Sequence, residues 1–440
     1  MKRVLLGSMP VGGGHNALRD SFLTVLKHQD PRGGAFHPIT FNSQDTRVRA
    51  FYEYCVHHAP WSQGLVYRFG RARWGVRVLV PLNRGLLEEA KETLVRERPD
   101  VVVSTHFLLS MMFARARREL GLNVSIVSAI PDYGEFPLIF CPDAEDVRAD
   151  YFVAMEQSTY DCLLNEYQVP REQAHLSGFL PRQPFLDVSK AFGSEARFTG
   201  EKKRQLFERL KAERPEFAHA DPDLPTVIFL GGSAWTEKAL PVIERLLENP
   251  AFLDRINVVV VCGNNEAFEN LLRARAGQNP SFSIFGFVDA KLMAELQSVA
   301  DVPVLGSLAP ASMQELLETR CGPLMLFHYI PGTEDAHVAH IRDQEIGLFE
   351  PDPDAMLDLL MQATGYKQAG ERMASLLRSF PVRAQAIRNE NVTRALKFGK
   401  FLARVGRVVP LAPLHVDAPS RDVEAPPRAG AAPGSLISRP

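Results

Sequence analysis

The run VLLGS at residues 4–8, followed after Met9, Pro10 and Val11 by GGGHNALRDSF at residues 12–22, decides how the chain is read. A short apolar run, a glycine-rich loop and then apolar positions at Leu18, Phe22, Val25 and Leu26 spell strand, tight turn and helix. The same unit recurs along the chain. Apolar runs stand at 100–106 (DVVVSTH), 123–130 (NVSIVSAI) and 151–155 (YFVAM), and again at 226–233 (TVIFLGGS), 256–263 (INVVVVCG), 302–307 (VPVLGS) and 322–329 (GPLMLFHY), with helical patterns between them. Unbroken Val and Ile runs suit parallel strands covered on both faces, so an α/β chain with two successive doubly wound sheets is expected. Such sheets bind ligands at the carboxyl ends of their strands, which directs attention to the loops that follow each run.

At 440 residues the chain exceeds one compact core, and two domains are expected. The boundaries read from composition are a first domain at 1–185, a charged linker and helix at 186–224, a second domain at 225–385, a basic amphipathic terminal helix at 386–412, and a Pro-, Ala- and Gly-rich tail at 413–440 expected to be disordered. Five cysteines without CxxC spacing indicate neither a zinc site nor a disulfide framework, and a reducing cytoplasm fits them. No secretory leader pattern and no run of eighteen apolar residues is seen. The balance of 50 basic against 52 acidic residues argues against a nucleic-acid partner, yet it hides an asymmetry. Residues 1–100 hold 15 Lys and Arg against 9 Asp and Glu, whereas residues 301–360 hold 2 against 11.

Gly12, Gly13 and Gly14 permit close backbone approach to a ligand, and His15 at the helix start could serve as a general base. The alternative is a tight turn with an incidental histidine; the loop is neither a Walker A nor a GxGxxG sequence. Asp132, in SAIPDYGEF at 128–136, follows a buried-strand pattern and could act on a substrate hydroxyl or simply form a turn after Pro131. Residues 54–87 contain no acid and carry Arg68, Arg71, Arg73 and Arg77 among Trp61 and Trp74. That mixture suits an anionic bilayer surface, at about 1 kcal/mol per Arg, with nucleic acid or a solvated basic face as the alternatives. In the second half, the small residues opening a helix in APASMQE at 309–315 resemble a diphosphate cradle, with Glu315 one turn on as an acceptor for ribose hydroxyls.

Taken together, GGGH after the first strand, DVVVSTH, the Asp132 loop, VPREQAHLSGFLPRQPF at 169–185, GFV at 286–288 and FHYIPGTEDAH at 327–337 resemble the lipid glycosyltransferases of glycosyltransferase family 28. The likeness is nearest to galactolipid (monogalactosyldiacylglycerol) synthases and processive diacylglycerol glucosyltransferases, and runs from about residue 3 to 350. It implies the GT-B fold, two Rossmann-like domains with an interdomain cleft, and inverting transfer of a hexose from a UDP-sugar to a lipid hydroxyl of diacylglycerol or a glycosylated derivative. By the resemblance His15 is the base and Asp132 supports it or the acceptor. Uracil lies against Phe287 and Val288, the diphosphate by Gly231, Gly232, Ser233, Ala311 and Ser312, the ribose on Glu315, and the sugar by Glu334, Asp335 and His337. No metal and no cofactor beyond the UDP-sugar is implied, and the protein is expected peripherally on the cytoplasmic face of a membrane. A polyprenyl-linked acceptor, or a UDP-sugar-binding regulatory protein, is the alternative. The chain departs from the family pattern in GGSAW for a glycine-rich GGGxG, in Ala309-Pro310-Ala311 for glycines flanking the proline, and in Thr333-Glu334 and His337 for Gln-Glu and a later Asn.

Overall fold

The computed structural model describes residues 1–9, 13–45, 47–48, 50–51, 54, 73–136, 138–193, 200–231, 236–332 and 334–406. Two six-stranded sheets, parallel throughout, dominate it. The first contains β1 (Lys2–Ser8), β2 (Phe36–Asn42), β3 (Val101–Ser104), β4 (Ser125–Ile130), β5 (Tyr151–Ala154) and β6 (Ala174–Leu176), in the order β2-β1-β3-β4-β5-β6. The second contains β7 (Thr226–Leu230), β8 (Asn257–Val261), β9 (Phe282–Phe285), β10 (Val302–Leu305), β11 (Leu324–Leu326) and β12 (Gly347–Phe349), in the order β12-β11-β10-β7-β8-β9. Two doubly wound α/β domains of GT-B type are thus present as expected.

The valine runs bury both faces of the sheets. In β3, Val101 and Val103 join one cluster and Val102 the other; in β8, Val258 and Val260 face one side and Val259 and Val261 the opposite. Period-two alternation with both faces covered leaves no polar positions, which is why these segments read as continuous runs. On helix Gly14–Gln29, Ala17, Leu18, Ser21, Phe22, Val25 and Leu26 form the buried stripe against β1.

Helix Glu371–Ala395 begins well before the expected Ala386 and runs from the second domain to the first. Its Met373, Leu376, Phe380 and Ala384 belong to the second domain's clusters, whereas Ala395 belongs to the first domain's. Helix Phe398–Arg404 completes the return: Phe398 stacks on Phe22 at 4.3 Å, Phe401 stacks on His175 at 4.5 Å, and Lys2 Nζ donates to the Leu402 carbonyl at 2.8 Å. The tail expected from residue 413 lies outside the described residues.

The domains meet through buried polar contacts. Gln314 donates to the Tyr133 hydroxyl at 3.1 Å, Asn391 donates to Gln314 at 2.8 Å, and the Phe179 amide donates to the Asn391 side chain at 3.3 Å. Gly178 lies so near this helix that a Cβ would stand 2.0 Å from the Asn391 carbonyl oxygen. Among the described residues no helix is long and apolar enough to cross a membrane, and no group of three or more His, Cys, Asp or Glu is placed to hold a metal ion.

Candidate functional site

In the first sheet, β1 leads outward to β2 on one side and β3 leads to β4 on the other, so the chain diverges between β1 and β3. Ligand crevices form at such a divergence, at the carboxyl ends of the strands. His15, in the first turn of the helix after β1, stands there. Its Nδ1 bonds the Thr105 carbonyl beyond β3 at 2.6 Å, and the Thr105 hydroxyl donates to the His15 carbonyl at 3.0 Å. Because a carbonyl only accepts, the proton of neutral His15 sits on Nδ1, leaving Nε2 with the lone pair a base requires. Burial pushes the His15 pKa down, and the Thr105 carbonyl opposes that shift. His106 packs edge-on against it at 4.7 Å, and its Nδ1 accepts from the Leu108 amide, capping helix Phe107–Leu120. The His106 pKa lies well below the ordinary value, through burial and then the neighbouring His15. Both imidazoles are therefore neutral at pH 7.

Asp132 follows β4 and faces the second domain. Its Oδ1 is 3.9 Å from His337 Nε2, which accepts the Tyr133 amide at 3.2 Å. Burial, and then the Glu334 charge, raise the Asp132 carboxyl to about 7. Burial lowers His337 to about 4, with the Leu308 carbonyl opposing. Near neutral pH the contact therefore joins a partly protonated carboxyl to a neutral imidazole. Gly134, at φ +74°, brings its backbone so close that a Cβ would meet Ala336 Cβ at 2.7 Å. Asp132, expected beside His15 or the acceptor, is thus placed near His337 of the other domain, with the Glu334 charge acting on it.

Several of the residues expected on the donor side carry structural contacts. Glu334 accepts from the Ser307 hydroxyl at 2.5 Å and from the Ile330 amide at 2.8 Å, pinning the loop after β10 to the segment after β11. Asp335 accepts from the Gly332 amide at 3.1 Å. Glu315, the expected ribose acceptor, takes a two-pronged ion pair from Arg182 at 2.5 and 3.0 Å. Its side chain is 5% exposed, and burial raises its pKa while Arg182 lowers it. Ala311 is buried in the first domain's cluster with Leu18 and Phe22, and Ser312 is half-buried beside it. Gly231 is buried directly after β7. Beyond β9, Phe287 is exposed, whereas Val288 packs on the second domain's cluster. Gly13 and Gly14 have open space around them. Gly12, Gly232, Ser233, Trp61, Arg68 and Arg71 lie outside the described residues, and Arg73, Trp74 and Arg77 fall on helix Arg73–Leu82.

Sequence reading did not single out Thr105, Arg182, Gln314 or Asn391. Thr105 and Arg182 lie inside the stretches DVVVSTH and GFLPRQPF, but their partners are 90 and 133 residues away, a separation that leaves no local pattern.

No protein-family model matches the chain. A processive diacylglycerol beta-glucosyltransferase of Staphylococcus epidermidis is 21% identical over 285 residues, which are 64% of this chain and 63% of that protein. A probable chloroplastic monogalactosyldiacylglycerol synthase 2 of Oryza sativa subsp. indica is 24% identical over 380 residues, 80% of this chain and 71% of that protein. The chain is similar to the lipid glycosyltransferases of family 28. The resemblance read from GGGH, DVVVSTH and FHYIPGTEDAH is thereby borne out, and a hexosyltransferase, the expected enzyme class, is the class these relatives' names give. The family-28 likeness has a stated extent: the chain spans about 63% of the length of the first relative. Among solved structures, the S. aureus MnaA–UDP complex superposes with a TM-score of 0.56 at 11% identity, covering 90% of this chain and 96% of that one, and agrees with the GT-B fold.

Proposed function

We propose that the protein is an inverting hexosyltransferase that moves a sugar from a UDP-hexose to a lipid hydroxyl, of diacylglycerol or a glycosyl-diacylglycerol, at the surface of an anionic membrane on its cytoplasmic face. The observation that carries this reading is the bond from His15 Nδ1 to the Thr105 carbonyl at the first crevice, which leaves Nε2 with the lone pair that would take the acceptor's proton. In the proposed step the acceptor hydroxyl gives its proton to His15 Nε2 as its oxygen bonds to the anomeric carbon. The bond from that carbon to the diphosphate oxygen breaks, and UDP leaves with the electron pair. Asp132, Glu334 and His337 stand where the domains meet and would border the reacting sugar. Placing the two reactants in line accounts for much of the acceleration, and a positioned base contributes about 10²–10⁴-fold.

The test is incubation with diacylglycerol-containing vesicles and a panel of UDP-hexoses, with lipid products identified by mass spectrometry. A glycolipid is expected from the wild type and a loss of about 10²-fold or more from His15→Ala. Equal product from both proteins would remove His15 from the chemistry.

A second reading, a UDP-sugar-binding regulatory protein, is favoured by one observation: Glu315 is already engaged by Arg182. UDP binding without transfer to any lipid would select it. Transfer only to a polyprenyl-linked acceptor would instead keep the enzyme and change its substrate.

A further inference from the structure

Each sheet has a crevice at its point of divergence. The second sheet diverges between β7 and β10, where the UDP-sugar reading seats the donor, and the first between β1 and β3, where the acceptor would meet His15. At the first crevice a second imidazole lies beside that base. His106, two residues beyond β3, is 4% exposed and meets the His15 ring edge-on at 4.7 Å, while Phe107 stacks on it at 4.6 Å. Its backbone is anchored as well: the Ser104 and Ser110 hydroxyls donate to the His106 carbonyl at 3.0 and 3.2 Å.

The two rings are fixed in opposite tautomers. His15 donates from Nδ1 to the Thr105 carbonyl and keeps a lone pair on Nε2. His106 does the reverse: its Nδ1 accepts from the Leu108 amide at 3.2 Å, so the proton of the neutral ring is on Nε2. Burial, and then the neighbouring His15, lower the His106 pKa and keep the ring neutral. Among the described residues that N–H has no hydrogen-bond partner, and it is not sealed from solvent as His340 Nε2 is. A donor held rigidly on a nearly buried side chain, beside a base and without a protein acceptor of its own, suits a ligand oxygen.

We propose that His106 determines acceptor specificity, donating from Nε2 to an oxygen on the carbon next to the one whose hydroxyl His15 deprotonates. This inference rests on the lipid-hydroxyl reading above and assigns a residue to it. The attacking oxygen is a poorer partner for that N–H, because a hydrogen bond to it would hold back the lone pair it must give to the anomeric carbon. Two rings 4.7 Å apart can be bridged by oxygens on adjacent carbons, each within hydrogen-bond reach of one ring. Acylglycerols carry the second oxygen in the neighbouring ester, and glycosyl acceptors carry it in a neighbouring hydroxyl or in the ring. A simple long-chain alcohol carries none. The acceptor class selected here is therefore an alcohol oxygenated on two adjacent carbons.

The experiment is steady-state kinetics of the full chain with the panel of UDP-hexoses and vesicles containing dioleoylglycerol or oleyl alcohol, using His106→Asn and His106→Gln. An Asn side chain reaches where Nδ1 lies and keeps the helix cap while removing Nε2; a Gln amide reaches where Nε2 lies and restores a donor. The wild type is expected to favour dioleoylglycerol over oleyl alcohol. For dioleoylglycerol, kcat/KM is expected to fall about 2- to 10-fold in the Asn variant, the worth of one neutral hydrogen bond, and to stay nearer the wild type in the Gln variant. A capping role alone reverses the order of the variants, since Asn is the better cap. That reversed order, equal losses in the two variants, an unchanged Asn variant, or a wild type that uses oleyl alcohol at least as well as dioleoylglycerol overturns the inference and leaves the transferase reading standing. A wild type that glycosylates neither overturns both.

Discussion

Replacing Arg182 by Met isolates the ion pair that joins the domains. Glu315 is 5% exposed, and Arg182, at 29%, gives it two hydrogen bonds. Without the guanidinium the carboxylate is buried and unpaired, a loss of about 3–5 kcal/mol where the anion must persist. The size depends on pH in a direction that can be worked out. Burial already raises the Glu315 pKa above 4.5 against the opposing effect of Arg182, so removing Arg182 raises it further. A folded-state pKa above the unfolded value means that the folded state binds the proton more tightly, and stability falls as pH rises from about 4.5 through the raised value. Urea denaturation followed by circular dichroism should show a larger loss for Arg182→Met at pH 8 than at pH 5.5. Arg182→Met with Glu315→Gln leaves no buried charge and should return to within about 1 kcal/mol of wild type. Equal losses at the two pH values, or a double variant as unstable as the single one, would refute the assignment.

Gly178→Ala places a methyl 2.0 Å from a backbone oxygen of helix Glu371–Ala395, so the helix must shift; about 3 kcal/mol of destabilisation is expected, and an unchanged urea midpoint would contradict the packing. Glu334→Gln removes the charge that assists burial in raising Asp132, so the Asp132 carboxyl titration, followed by carbon NMR, should move down from about 7; no movement would assign the shift to burial alone. His337, held at about 4, penalises folding as pH drops from 6.5 toward that value, so His337→Asn should flatten the decline in stability on that side, and an unaltered profile argues against it. Replacing Arg68, Arg71, Arg73 and Arg77 by Ser should weaken sedimentation with anionic vesicles on the order of 1,000-fold, whereas unchanged pelleting would refute a membrane-binding role for these arginines.

The strands that sequence alone revealed are the eight inner ones, and the four it did not are β2, β6, β9 and β12, the edges of the two sheets. An inner parallel strand must be apolar on both faces and announces itself as a valine run. An edge strand is freed from part of that demand: β2 carries Pro38, whose missing donor an edge tolerates, and β6, β9 and β12 span only three or four residues. His15 and Asp132 were legible because each follows a strand whose end could be read. That Thr105 would bond His15, and that Asp132 would meet His337 of the other domain, was not legible, because periodicity reports which face a residue occupies and not which distant loop comes to meet it.

The departures from the family pattern acquire a physical reason in the helix Pro310–Glu318. Glycine would suit a cradle that only a phosphate touches, since it lets the backbone approach and adds nothing to fill. Here the first turn also faces helix Gly14–Gln29, and the Ala311 methyl is buried with Leu18 and Phe22 of that helix. A glycine at 311 would forfeit that packing, and the helix carrying His15 would lose its footing on the helix that opens the second crevice. One turn further along, Glu315 binds Arg182, which caps the passage from β6 into the linker. The helix that the pattern assigns to the donor therefore also joins the domains, and a change that loosens either contact should alter how the two crevices face each other.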